Sequence, residues 1–214
     1  MDKILTKNQM NRMPSYLASI KKFKGQGLLY IKTSLVATDL NLNEEQVKKD
    51  LAAIASNSGV PNKGREINSL IRDLETILGY DDIHNAILIG VGNLGRSLLQ
   101  YEGFKNYGLK IVGAFDNDPN KIGEKINNIR VFDIKLLSSS FNDYNAKIAI
   151  IAINDNGVEA IANSLEKLGI LAIWNFTNCN ITLSNKDIIV SNMNMAANLA
   201  VISHQLYLER EKRK

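Results

Sequence analysis

Ala86-Ile87-Leu88-Ile89-Gly90-Val91-Gly92-Asn93-Leu94-Gly95 is the stretch from which the fold can be read. Its four leading apolar residues read as a strand buried on both faces, which runs directly into a Gly-x-Gly-x-x-Gly turn. Such a turn alone is a weak signal. Here a helix is expected over residues 96–101, and a second apolar strand over 111–115 ends in Asp116, 21 residues after Gly95. That context is what a dinucleotide turn requires. Gly90 permits the tight bend, Gly92 lets backbone approach a pyrophosphate, and Gly95 lets the helix pack closely on the sheet. The amides near Asn93 and Leu94, at the helix start behind Val91, would face the phosphates. Asp116 would accept hydrogen bonds from the adenosine ribose and repel a 2'-phosphate, which selects NAD or NADH over the phosphorylated cofactors.

The pattern continues on the C-terminal side. Further strands are expected at 130–132, 147–153, 172–176 and 188–190, with a helix over 158–167. Alternating strands and helices predict an α/β domain with a Rossmann-like, doubly wound parallel sheet. Residues 194–213 read as a helix with Leu199, Ile202, Leu206 and Tyr207 on one side. Gly79-Tyr80-Asp81-Asp82 marks a boundary on the N-terminal side. The expected division is therefore 1–80, 81–191 and a closing helix over 192–214.

The first 80 residues have another character. Residues 9–24 carry Met13, Tyr16, Leu17, Ile20 and Phe23 on one helical stripe. Thr33-Ser34 suits the cap of a short second helix, and Asn41 that of a third, over which Val47, Leu51 and Ile54 fall at core spacing. Two short helices joined by a few residues form a helix-turn-helix, whose second helix enters a DNA major groove. Gln46, Lys48 and Lys49 would lie on or near its outer face. Residues 56–65, rich in turn formers and carrying Lys63 and Arg65, would suit a wing that touches phosphate or minor groove.

Composition agrees. The 214 residues are 45% hydrophobic and 22% charged, with a mean hydropathy of -0.12, which excludes disordered, collagen-like and membrane-embedded classes. Residues 1–80 hold 12 Lys or Arg against 8 Asp or Glu, and the remainder holds 14 of each. The whole formal charge of +4 thus belongs to the part expected to hold DNA.

An enzyme is not expected. The histidines, His84 and His204, do not follow a strand's carboxyl end, where ligands bind in such sheets. Only about 20 residues follow the last expected strand, too few for a substrate domain. Cys179 is the single cysteine and has no neighbouring histidine, so neither a disulfide, a nucleophile nor a metal site is expected. The start of the chain has no apolar run suited to secretion, and a cytoplasmic protein is expected.

Taken together these residues resemble the Rex redox-sensing transcriptional repressors of bacteria. The resemblance is carried by Arg12-Met13-Pro14-Ser15-Tyr16-Leu17, Gln46-Val47-Lys48-Lys49-Asp50-Leu51, the stretch from Ile87 to Gly95, Ala114-Phe115-Asp116-Asn117-Asp118-Pro119-Asn120-Lys121-Ile122-Gly123, and Gly169-Ile170 with Trp174-Asn175-Phe176-Thr177. It implies a homodimer whose winged helices hold a palindromic operator, whose Rossmann domains sense the ratio of NADH to NAD, and whose last helix is exchanged between subunits. NADH would close the dimer and release DNA. It also implies cofactor contacts from Tyr101, Asn175 and Phe176, and DNA contacts from Thr33 and Ser34 beside the residues of the third helix and wing.

The chain departs from the family at several places. Ala18 stands where an arginine is usual, two positions after Tyr16, and Asn194 where an aspartate begins the last helix. With the residue matching Tyr101, those side chains are associated with a network that distinguishes the family's two states. Residues 60–66 replace a glycine-rich wing, and Lys48-Lys49 a pair that usually includes arginine. The alternatives are a paralogue with weakened or lost redox switching, or a small NAD-dependent oxidoreductase.

Overall fold

The computed structural model describes residues 5–154, 156–193 and 195–212. They form two compact units, one ending at Asp82 and including Asn106–Gly108, the other formed by Ile83–Lys105 and the residues from Leu109 onward.

The first unit holds α1 (Lys7–Gly25), β1 (Tyr30–Ile31), α2 (Thr33–Leu40), α3 (Glu44–Ile54), β2 (Arg65–Glu66) and α4 (Ile67–Ile77). Thr6 and Gln9 close a reciprocal capping box at the start of α1. Met13, Tyr16 and Ile20, spaced along one face of α1, are fully buried with Val36, Val47, Leu51 and Leu74. The strands pair antiparallel, Tyr30 opposite Glu66 and Ile31 opposite Arg65, and so close the base of the wing.

Two expected caps are corrected. Thr33-Ser34 lies inside the first turn of α2, behind an N-cap at Lys32 that makes no side-chain cap bond. The Thr33 hydroxyl instead donates to Glu44 Oε1 at 3.2 Å, tying the starts of α2 and α3 together. Asn41 ends α2 in the left-handed conformation, φ 52°, and Asn43 is the residue that caps α3, accepting from Gln46 N–H at 3.2 Å. Asn suits both positions, because its short polar side chain tolerates positive φ and satisfies first-turn donors.

The second unit is a seven-stranded sheet. Its members are β3 (His84–Ile89), β4 (Leu109–Asp116), β5 (Lys125–Ile126), β6 (Ile129–Asp133), β7 (Ile148–Ile151), β8 (Ala172–Asn175) and β9 (Ile189–Asn192). The spatial order is β5-β6-β4-β3-β7-β8-β9, parallel except for β5. Strand order reverses beside β3, which is the switch point where such sheets bind ligands. The helices are α5 (Asn93–Gln100), α6 (Leu137–Ser140), α7 (Val158–Lys167) and α8 (Met195–Lys212). Ile87 and Ile89 bury one face of the sheet against Val158, Ala162 and Leu165 of α7, while Ala86 and Leu88 bury the other with Leu99 of α5.

Here too the boundaries shift for physical reasons. α5 starts at Asn93 rather than 96, because Gly92 is its N-cap and the motif's last glycine is already helical. β7 stops at Ile151, two residues early, and Ala152 and Ile153 turn to line a cleft. The unexpected β5 joins β6 through Asn127-Asn128, both at positive φ, 46° and 65°. Two consecutive residues in that conformation make the tight hairpin connection that matches strand twist.

Candidate nucleotide site and nucleic-acid interface

At the carboxyl ends of β3, β4 and β7 lies a cleft of about 530 Å3, lined by Gly90, Gly92, Asp116, Asn117, Lys121 and Ile153, among others. Gly90 adopts φ +95°, and a Cβ there would meet the Ala152 carbonyl oxygen and, at 2.6 Å, Ile153 Cγ2. At Gly95 a Cβ would overlap the Gly90 carbonyl oxygen. Packing within the protein therefore demands both glycines. Gly92 differs, since a Cβ there meets nothing within 4 Å. No protein neighbour requires a glycine at that point, so the open space beside the N-cap is room for something else. Gly92, Asn93 and Leu94 are exposed, and first-turn N–H groups of a helix have no acceptor within it. The residues thus fit an anionic pyrophosphate.

Asp116 closes the other end of the motif. It is buried, and its Oδ1 accepts from Asp118 N–H at 2.9 Å, while Oδ2 accepts from Val91 N–H at 2.7 Å and from Lys121 Nζ at 3.2 Å. Burial pushes the carboxyl upward, but the Asp118 and Val91 amides and the Lys121 ammonium together outweigh it and hold the group below the ordinary value. The carboxylate is therefore charged at neutral pH, and it braces the glycine turn through Val91. Val91 accordingly serves the turn from inside, with its amide on Asp116 rather than toward the cleft. Lys121 belongs to the stretch that carries the family resemblance, but the sequence assigns it no role at the site. Its only sequence signal was a cation five positions past the acid, in a tight Asp-Pro turn.

Three further expected cofactor residues lie outside that cleft's lining. Tyr101, half exposed, packs edge-on against Phe104 with ring centroids 4.8 Å apart. Phe104 meets Trp174 at 5.9 Å, and Trp174 meets Phe176 at 4.6 Å. Tyr101 and Phe176 are thus the ends of one aromatic chain whose middle the sequence did not disclose. Asn175 departs from its expected contact. It is fully buried, with Nδ2 donating to Cys179 O and Asn192 Oδ1, at 2.6 and 2.8 Å, and Oδ1 accepting from Thr177 N–H at 3.0 Å. Both of its amide hydrogens are engaged in shaping the loop after β8.

In the first unit, Lys48 and Lys49 are exposed on α3, and Gln46 is half-buried beside them. Lys48 makes only a loose pair with Glu45, 3.5 Å within the same helix. Thr33 and Ser34 are half-buried at the start of α2. The wing is closed by Val60 N–H on Gly64 O at 2.7 Å, with Asn62 at φ 62° and Gly64 at φ +94°. A Cβ at Gly64 would come within 2.6 Å of the Ile31 carbonyl carbon, so this one glycine lets the wing lie against β1. Lys63 projects over the Tyr30 ring, 5.7 Å from its centroid. Arg65, half-buried, donates from Nη1 to Asn57 O at 2.5 Å and so holds the wing's base, with its other guanidinium donors outside that bond. Beneath α3, Asp50 is buried, and Arg12, Tyr16 and Gln9 all donate to its carboxylate. Sequence reading placed Asp50 in the helix without seeing these partners.

A family model described as CoA binding domain matches residues 81–179. The chain is 39% identical to the redox-sensing transcriptional repressor Rex of Treponema denticola, over 90% of this chain and 91% of that one. It is 34% identical to Rex of Bacteroides thetaiotaomicron, over 92% and 89%. Among solved structures, RSP in complex with β-NAD+ and operator DNA superposes with a TM-score of 0.89 at 26% identity, over 98% of this chain and 96% of that one. RSP in complex with β-NADH superposes at 0.86, also at 26% identity, over 99% of each chain.

A winged helix-turn-helix unit joined to a sheet with a dinucleotide-type turn defines the class, a transcriptional regulator with a nucleotide-sensing domain. The chain belongs to the Rex family of redox-sensing transcriptional repressors. It is a regulator and not an enzyme.

Proposed function

We propose that this repressor reads the ratio of NADH to NAD in the cleft at Gly90, Gly92 and Asp116 and holds palindromic operator DNA, as a homodimer, until NADH displaces it. The observation that carries the reading is the pairing of open space at Gly92 with a buried, charged Asp116 at the ribose end. An anion fits the first and hydroxyl donors fit the second. The same carboxylate disfavours NADPH and also CoA, whose ribose carries a phosphate of its own. The crystallised complexes of the similar RSP, with β-NAD+ and operator DNA and with β-NADH, support both ligands.

In this reading residues 1–80 bind DNA through Gln46, Lys48, Lys49, Lys63 and Arg65, with Thr33 and Ser34 at the backbone. Residues 81–191 bind the nucleotide, with Tyr101 and Phe176 toward the nicotinamide. The helix over 192–214 joins the dimer. α8 supports this, since Leu199, Val201, Ile202, Leu206, Tyr207 and Leu208 are all exposed and fall on more than one side of it. A helix apolar on several sides is one that its assembly covers on several sides. No described helix is long and apolar enough to cross a membrane. A repressor that holds operator DNA would work where the DNA is, in the cytoplasm.

Gel shift with operator DNA at fixed salt, titrated with NADH and separately with NAD, tests the reading. Release by NADH at lower concentration than by NAD is expected, and an absence of DNA binding at low salt would defeat it. A second reading, DNA binding with weakened redox control, is favoured by one observation: Ala18 is exposed on α1 and offers no charge. Asn194, the other departure, lies outside the described residues. An opposing ion pair formed in one state only biases an equilibrium by about 1 to 3 kcal/mol, so the same titration would show DNA retained at saturating NADH.

A further inference from the structure

Asp116 does not stand alone in its cleft. Among the described residues that line it, Asp116 is the single acid and Lys121 the single cation, and Lys121 Nζ donates to Asp116 Oδ2 at 3.2 Å. The Lys121 side chain is 29% exposed, so the acid does not bury it. An ammonium has three N–H donors. One meets Asp116, while Asp118 Oδ2, the other carboxylate oxygen beside it, is 3.6 Å away and beyond hydrogen-bond reach. Donors therefore remain for a ligand in the cleft.

The acid and the cation suit different nucleotides. A carboxylate at this place accepts the ribose hydroxyls and repels a 2'-phosphate, whereas a cation beside the ribose is what accommodates that phosphate. Both devices are present here, side by side. Asp116 Oδ2 already accepts from Val91 N–H and Lys121 Nζ, while Oδ1 accepts only from Asp118 N–H, so Oδ1 has the acceptor site left for a ribose. A hydroxyl bonded there lies within about 8 Å of the ammonium, whatever its direction, and the flexible lysine stem can carry the charge the rest of the way to a phosphate on that ribose. Resting on the reading of this cleft as the dinucleotide site, we propose that Lys121 is a specificity-determining residue that sets how strictly the repressor rejects NADPH. Asp116 makes NADH the preferred ligand, and Lys121 keeps its 2'-phosphorylated counterpart within reach. The cleft grades the two reduced nucleotides rather than excluding one.

Calorimetric titration of the full-length protein with NADH and with NADPH, at one fixed salt concentration, reads the ratio of their dissociation constants. The wild type should bind both, NADH the tighter. Lys121→Gln keeps a donor for Asp116 and removes the charge, so the ratio of the NADPH constant to the NADH constant should rise about tenfold. Lys121→Arg keeps the charge and adds a planar fork that meets phosphate bidentately, so it should narrow the ratio. A residue that only braced the Asp-Pro turn would move both nucleotides alike. A thermal melt accompanies each variant, and if Lys121→Gln does not fold, Lys121→Arg carries the test. An unmoved ratio in a folded Lys121→Gln, a ratio that Lys121→Arg widens, or a wild type that takes up no NADPH at millimolar concentration overturns the inference and leaves NADH binding in the cleft standing. A wild type that binds no NADH, or binds NADPH the tighter, defeats the reading of the cleft itself, and the inference falls with it.

Discussion

Asp116 and Tyr16 are both buried, and each ties a titration to a piece of architecture. The Asp116 carboxyl is held below its ordinary value, so the stability it contributes is present above the ordinary carboxylate range and lost as pH falls through its folded value. Thermal melts taken downward from neutral pH should lose stability on that limb, and Asp116→Asn should lose less. Removing charged acceptors from the ribose contact costs about 2 kcal/mol, so Asp116→Asn should also weaken NADH binding about 30-fold, read by calorimetry. Tyr16 has the opposite sign. Burial, helped by the Asp50 carboxylate, pushes its hydroxyl up to about 12. Its contribution is full below the ordinary tyrosine value near 10 and fades as pH rises toward 12. Tyr16→Phe should flatten the alkaline limb of the melting curve. A limb of unchanged slope would mean that another group governs alkaline unfolding.

At the scale of elements, the glycine turn separates what packing needs from what a ligand needs. Gly95→Ala would press a Cβ on the Gly90 carbonyl oxygen and should destabilise the fold by about 2 kcal/mol, visible in denaturant titration. Gly92→Ala enters open space, so its melting temperature should stay at the wild-type value while NADH affinity falls at least about tenfold. Both glycines were legible in the sequence, because strand, turn and acid follow one another along the chain. The same locality made the helix-turn-helix readable. It failed at the caps, where Asn41 and Asn43 have the same chemistry and only the backbone angle tells the end of one helix from the start of the next. It failed for β5, whose two residues carry no periodicity, although the Asn127-Asn128 pair was a usable turn signal. The Arg12 and Asp50 pair lies 38 residues apart, and the Asn175 network depends on Asn192, 17 residues on. Such partnerships are set by tertiary packing, which no local pattern carries.

For the whole molecule, the division of charge and the closing helix make separate predictions. All of the formal excess of +4 lies in residues 1–80, so DNA affinity should fall steeply with salt. Lys48→Gln or Lys49→Gln should each weaken binding to every duplex alike and reduce the slope of log affinity against log salt by about 1. A reduction confined to one sequence would assign that lysine to a base instead. If the proposed homodimer is joined through α8, deleting residues 195–212 should yield a monomer in size-exclusion chromatography and remove the gain from occupying two half-sites at once.

The apolar sides of α8 have a further consequence for the cell that makes the protein. A helix that is satisfied only by assembly couples folding to copy number, because association stabilises the folded chain by mass action. In the homodimer proposed above, low copy number would leave a larger fraction unassembled, with Leu199, Val201, Ile202 and Leu206 open to chaperones and proteases. Repression should therefore rise more steeply than gene dosage, and a small loss of expression should cost the cell more than its share of control.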